Sequence, residues 1–182
     1  VRGADLVLLM LDVGSDDGLQ ECRDVVKHFA TTKTRLAATS HLDKHDVGLS
    51  FTRTFLVPNK MDLSDAPLRW SLFQESLAWD FSVYPVSSTT GVGLDMLKSA
   101  IFESLDVVRI YTKSPRSKDA DYERPFTIRR GGTLGEIAEM IHKDLAANLK
   151  FARVWGSQVH DGTVVKADYV LHDGDVVELH ES

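Results

Sequence analysis

Apolar residues run without a break over residues 6–11, the pattern of a strand covered on both faces. The turn Gly14-Ser15-Asp16-Asp17-Gly18 follows, and Leu19, Cys22, Val26 and Phe29 then recur at helical spacing as far as residue 30. Residues 31–54 are polar and weakly patterned, so an elaborated connection is expected there. A second apolar strand over residues 54–58 ends in Asn59-Lys60-Met61-Asp62. Next comes a helix that Asp65 is placed to cap and Pro67 can open, with Leu68, Leu72, Phe73 and Leu77 as its apolar positions. A third strand over residues 81–86 leads into the polar turn 87–93 and a helix over 94–105, with Leu94, Leu97, Ile101, Phe102 and Leu105 in helical period. Strand followed by helix, repeated in this way, predicts a parallel sheet with right-handed crossovers.

After Leu105 the period changes. Residues 107–113 alternate like a half-buried strand, 115–123 form a polar loop, and 125–130 alternate again, which together make a hairpin with a long connection. Gly131-Gly132 breaks it, and Thr133-Leu134-Gly135-Glu136 has the form of a capping box opening one helix with Leu134, Ile137, Ala138, Ile141, Leu145 and Leu149 on its apolar face. Residues 151–155 read as a further strand, Asp161-Gly162 and Asp173-Gly174-Asp175 as turns around Val164-Val165, and 176–180 as the last strand. Hairpin, helix, then short strands is a β-grasp order.

The chain of 182 residues has ordinary apolar and charged fractions for a globular protein, enough for a core in one domain or two small ones. Its one cysteine, Cys22, has no internal partner for a disulfide, and the cytoplasm is the expected compartment. The most apolar run, residues 4–13, carries Asp5 and Asp12 and is too short to cross a bilayer, so neither a membrane segment nor a signal peptide is expected. A net charge of −6 gives no overall basic field.

Candidate chemistry concentrates at the end of the second strand, the edge at which open α/β sheets bind ligands. Asp62 can accept from the ring N–H and the exocyclic amine of guanine together, whereas adenine offers a lone pair at the matching ring position. Asn59 would brace the loop, and Lys60 would lay its methylenes along the base. The turn at Ser87 also follows a strand and opens at the same edge, where its backbone N–H groups, that of Ser88 in particular, could meet the guanine carbonyl while Ser87 steadies Asp62. The plainer alternatives are a polar turn at Asn59 and a serine-rich helix cap at Ser87. His41, Asp43, His45 and Asp46 could be drawn as a metal cluster, but ligands need orienting partners and a solvated loop is the expectation. His142 and His180 read as ordinary surface histidines, and Trp155 as a core residue, with an exposed ligand platform as the alternative.

The succession of strand, Asn-Lys-x-Asp, helix, strand, Ser-x-x and helix resembles the latter half of a translation-factor-class, P-loop-type GTP-binding domain, with Ser87-Ser88 where Ser-Ala is usual. Two elements of that class are missing. No Gly is followed by Lys, so there is no Gly-x-x-x-x-Gly-Lys-Ser/Thr loop, and no Asp stands three residues before a Gly, so there is no Asp-x-x-Gly element. Because Val1 already lies in a strand pattern, the expectation is a partial parallel-sheet α/β domain whose phosphate-binding half lies upstream. Such a fragment should not hydrolyse GTP, although the full-length protein would be a GTPase.

Residues 107–181 resemble a TGS domain. The runs Ile141-His142-Lys143-Asp144-Leu145, Lys150 to Gly156 and Asp173-Gly174-Asp175-Val176-Val177-Glu178 resemble that of the developmentally regulated GTP-binding proteins, in the wider Obg-related group. This resemblance implies residues 1–106 as the C-terminal half of a GTP-binding domain and 107–182 as a TGS domain. It also implies GTP or GDP as ligand, magnesium only together with the upstream half, a role in translation or on the ribosome, and a small protein partner. Arg109, Lys113, Arg116, Lys118, Arg124, Arg129 and Arg130, with Tyr111, Tyr122 and Phe126 among them, make the hairpin locally basic and a candidate RNA contact. The competing reading is a non-enzymatic adaptor whose TGS domain binds RNA, a protein partner or a small nucleotide.

Overall fold

The computed structural model describes residues 3–115, 117 and 119–181, in two compact units, Val1–Leu105 and Asp106–Ser182. Arg116 and Lys118 of the basic hairpin lie outside the described residues.

The first unit runs β1 (Val7–Asp12), α1 (Gly18–Ala30), β2 (Thr34–Ala37), β3 (His41–Leu42), β4 (Ser50–Asn59), α2 (Ala66–Ser76), β5 (Ser82–Val83) and α3 (Leu94–Leu105). β4 is the shared strand of a largely parallel sheet: β1, β2 and β5 pair with it in parallel and β3 antiparallel. Its first half was expected in the connection over 31–54. Thr52 and Thr54 are buried in it, because polar β-branched residues fit a pleat as well as apolar ones.

The core lies on both faces of β4. Leu56 packs with Leu9, Leu11, Val13, Cys22, Ala66, Trp70 and Phe81, while Phe55 and Val57 pack with Val86 and Leu97 of the α3 side. The expectation that β1 is covered on both faces is not met. Leu9 and Leu11 are buried, but Leu8 and Met10 on the opposite face are 39% and 51% exposed. β1 pairs only with β4 among the described residues. In α2 the buried stripe runs through Ala66, Trp70, Phe73 and Leu77, and Leu68 and Leu72, expected inside, face solvent. Asp65 makes no side-chain cap; it pairs with Arg69 at 3.6 Å instead. The third strand is regular only over Ser82–Val83, yet Tyr84 and Val86 N–H still donate to Leu56 and Pro58 O, so the chain stays on β4 to its end.

The second unit runs β6 (Val107–Thr112), β7 (Asp121–Arg129), α4 (Leu134–Ile141), α5 (Lys143–Ala147), β8 (Leu149–Gly156), β9 (Val159–Val165) and β10 (Val176–Glu181), in the sheet order β7-β6-β10-β8-β9. β6 and β10 are parallel, and the outer pairs are antiparallel hairpins. This is a β-grasp sheet with one face closed over Val108, Ile110, Ile128, Leu134, Ile137, Ala152, Val154 and Val177. The single helix expected from residue 133 breaks at His142, whose extended backbone ends α4 and whose Nδ1 accepts from Asp144 N–H at 3.2 Å to start α5. Leu149, expected on that helix, opens β8. Thr133 forms no capping box. The first α4 donors go elsewhere, Leu134 N–H to Tyr169 O and Gly135 N–H to Ala167 O. Asp161-Gly162 is no turn either: Ser157 and Gln158 turn between β8 and β9, and Gly162 sits in β9 with φ +72 where the register slips.

Candidate functional site

β1 and β4 end together. Asp12 lies in register with Asn59, and Val13 N–H donates to Asn59 O at 3.2 Å. From the other side Val86 N–H donates to Pro58 O at 2.7 Å and Met61 N–H to Val86 O at 3.1 Å, which sets the 87–90 loop against the Asn59 turn. Gly93 lets that loop enter α3 so tightly: it has φ +78, and a Cβ there would stand 2.2 Å from Pro85 O.

Within this rim the five residues singled out in sequence meet. Asn59 Oδ1 accepts from Lys60 N–H at 2.8 Å and Ser88 N–H at 3.1 Å, and its Nδ2 donates to Ser88 Oγ at 3.2 Å. Ser87, fully buried, donates through Oγ to Asp62 Oδ1 at 2.5 Å and accepts from Thr90 N–H at 3.1 Å. The Asp62 carboxylate itself is exposed. Held through one oxygen and open to solvent, it can receive two parallel N–H donors from a planar ligand. One detail differs from expectation. The Ser88 N–H, expected to face the ligand carbonyl, is spent on Asn59 Oδ1, because the amide of Asn59 reaches across the gap between the two loops.

Lys60 is one of two described non-glycine residues with positive φ, at 66°. Its ammonium lies 2.7 Å from Asp12 Oδ2, while Asp12 Oδ1 accepts from Gly14 N–H at 2.9 Å. The hydrogen bond from Lys60 holds the Asp12 carboxyl below its ordinary value against the opposing cost of burial. Asp12 was missed in sequence. The signal was an acidic residue closing the strand that runs beside the Asn-Lys-x-Asp strand. Elsewhere in the unit, Asp43 accepts from His45 and Asp46 N–H, so it shapes the polar loop.

Among the described basic residues of the hairpin, Arg109, Lys113 and Arg130 are engaged by carboxylates. Arg109 forms a two-pronged contact with Asp173, at 3.0 and 2.6 Å, Arg130 lies 3.0 Å from Asp106, and Lys113 lies 3.5 Å from Glu178. Arg124 and Arg129 are exposed on β7. Alternation splits the aromatics: Phe126 packs against the core, while Tyr111 and Tyr122 lie against each other with ring centroids 5.1 Å apart. Trp155, expected in the core, is outside it and half-buried, because Ala152 and Val154 take the inward positions of β8. His180 stacks on Phe151, with Nε2 2.7 Å from Glu178 Oε1.

Comparison with known proteins agrees with both units. The TGS domain family matches residues 108–181. A GTP-binding protein of Methanocaldococcus jannaschii is 36% identical over 127 residues, covering 69% of this chain and 32% of that protein. A developmentally regulated GTP-binding protein 2 homologue of Dictyostelium discoideum is 30% identical over 134 residues, 71% of this chain and 34% of its own length. Developmentally regulated GTP-binding protein 1 of Xenopus laevis is 38% identical over 97 residues, 52% of this chain and 26% of its own. The chain thus spans about a third or less of the length of these relatives. In fold it is similar to the crystal structure of a GTP-binding protein from Pyrococcus horikoshii, with a TM-score of 0.51 at 16% identity over 72% of this chain and 46% of that one.

Proposed function

We propose that this chain, which belongs with the developmentally regulated, Obg-related GTP-binding proteins and carries their TGS domain, recognises the guanine base of GTP or GDP. The observation that carries this reading is the Ser87 Oγ to Asp62 Oδ1 bond at 2.5 Å, which aims an exposed carboxylate from a rim braced by Asn59. Asp62 accepts from guanine's ring N–H and amine. Lys60, its ammonium drawn to Asp12, lays its methylenes along the base. Since the Ser88 N–H is taken by Asn59, the next N–H of the loop, that of Thr89, meets the guanine carbonyl.

Phosphates and magnesium belong to a segment with the Gly-x-x-x-x-Gly-Lys and Asp-x-x-Gly elements, which these residues lack. β1 pairs only with β4 among the described residues, so its other edge could take a strand of such a segment, whose side chains would cover Leu8 and Met10. Hydrolysis is then an activity of the longer protein. The test is competition of GDP against ADP for the full-length gene product, in which Asp62→Ala removes the guanine preference. Equal preference before and after the substitution overturns the assignment.

A second reading, RNA or ribosome association of the TGS unit in translation, is favoured by exposed Arg124 and Arg129. Replacing both by glutamine should lower the dependence of log K on log salt by about 0.7 for each phosphate of single-stranded RNA that is no longer neutralised. An unchanged slope excludes this surface.

A further inference from the structure

One face of the β-grasp sheet lies under α4, and the other carries an ordered row of side chains. Val176 of β10 is in register with Tyr111 of β6 on one side and Trp155 of β8 on the other, and Tyr122 of β7 packs on Tyr111. Val176 is small between large rings. The result is a hollow of about 350 Å³ lined by Val176, Tyr122, Trp155, Lys113, Asp119 and Asp161.

The hollow shows which charge it favours. Lys113 Nζ lies over the Trp155 ring, 4.6 Å from its centroid, and 3.5 Å from Glu178 Oε2. The Trp155 ring therefore already holds a cation from the chain itself. Among the described residues, Asp119 and Asp161 add two more carboxylates beside the Lys113 ammonium. A phosphate entering here meets more carboxylates than ammonium groups among the described residues. A planar cation gains the ring face and the carboxylates together, and a guanidinium suits both better than an ammonium, being flat, more weakly hydrated and equipped with donors in a fork.

We propose that this hollow binds an arginine side chain of a partner polypeptide, stacked against Trp155 and Tyr122 and bonded to Asp161 or Asp119. Lys113 moves off the ring onto Glu178 as the guanidinium enters. The site is independent of the guanine rim and calls for a basic partner.

The experiment titrates the ¹⁵N-labelled chain with capped Gly-Arg-Gly, capped Gly-Lys-Gly and cytidine monophosphate, following the Trp155 indole N–H, assigned with Trp155→Phe. The arginine peptide should give a saturable shift, the lysine peptide a several-fold weaker one and the nucleotide none. Asp161→Asn and Tyr122→Ala, both at exposed positions, should weaken the arginine peptide roughly three-fold and five-fold with the rest of the spectrum native. Non-saturating shifts, equal response to arginine and lysine, unchanged affinity in both variants, or preference for the nucleotide would each overturn the proposal.

Discussion

The rim of the first unit, which we propose recognises guanine, and the basic hairpin of the second both gather polar side chains at the surface, but they are held in opposite ways. In the rim, Asn59 and Asp62 are fixed by neighbouring loop groups that leave the ligand-facing carboxylate open: Ser88 N–H, Lys60 N–H and a buried Ser87 hydroxyl. In the hairpin, Arg109, Arg130 and Lys113 are met head-on by Asp173, Asp106 and Glu178. The first arrangement leaves a held carboxylate open to solvent; the second spends the charge of these three residues within the fold. A polar residue becomes a binding group when its partners bond its non-functional side.

Breaking the rim should therefore cost far more than breaking the hairpin pairs. The largest effect is expected for Gly93→Ala, where a Cβ meets Pro85 O at 2.2 Å with φ +78; about 3 kcal/mol of stability is lost in urea unfolding. Ser87→Ala leaves Thr90 N–H and one side of Asp62 without their partner and should cost roughly 1–3 kcal/mol. Arg109→Gln breaks a pair whose side chains are 46% and 29% exposed, and about 1 kcal/mol or less is expected. If Arg109→Gln proves as costly as Ser87→Ala, the contrast between the regions fails.

The smallest effects are in pH dependence. Asp12, held low by Lys60, contributes stability that is present above the ordinary carboxylate value of 3.8 and lost as pH falls through its lowered value. Asp175 in the second unit behaves in the reverse sense. It is fully buried with Oδ1 unpartnered, faces His172 and Asp173, and burial pushes its carboxyl up, outweighing the His172 bond. Its contribution is present below 3.8 and lost as pH rises through the raised value. Amide exchange read separately for each unit should show Asp12→Asn removing acid-side loss in the first and Asp175→Asn removing the loss on raising pH in the second. The buried Cys22 thiol, pushed up to about 11 mainly by desolvation, should react slowly with thiol reagents throughout.

Much of the rim was legible because its parts are local. Asn59, Lys60 and Asp62 share one turn, and Ser87 follows the next strand, so topology alone brings them to one edge. α3 matched its periodicity because Leu94, Leu97 and Ile101 face one core. Long-range partners were not legible. Asp173 stands 64 residues from Arg109, and Asp12 faces Lys60 only once β1 lies beside β4. Leu68 and Leu72 misled because Trp70, the larger side chain on the same helix, decided which face turned inward. His142 broke a helix whose apolar spacing ran on unbroken, since spacing is blind to a backbone that turns extended.

The most direct measurement of the central reading is the relative affinity of the full-length gene product for guanosine and xanthosine diphosphates, before and after Asp62→Asn. An asparagine amide donates where xanthine offers a carbonyl in place of guanine's amine. The account predicts that a guanine preference of up to roughly 10⁴ becomes a xanthine preference. Guanosine and xanthosine diphosphate affinities that the substitution leaves unchanged would contradict the assignment of Asp62.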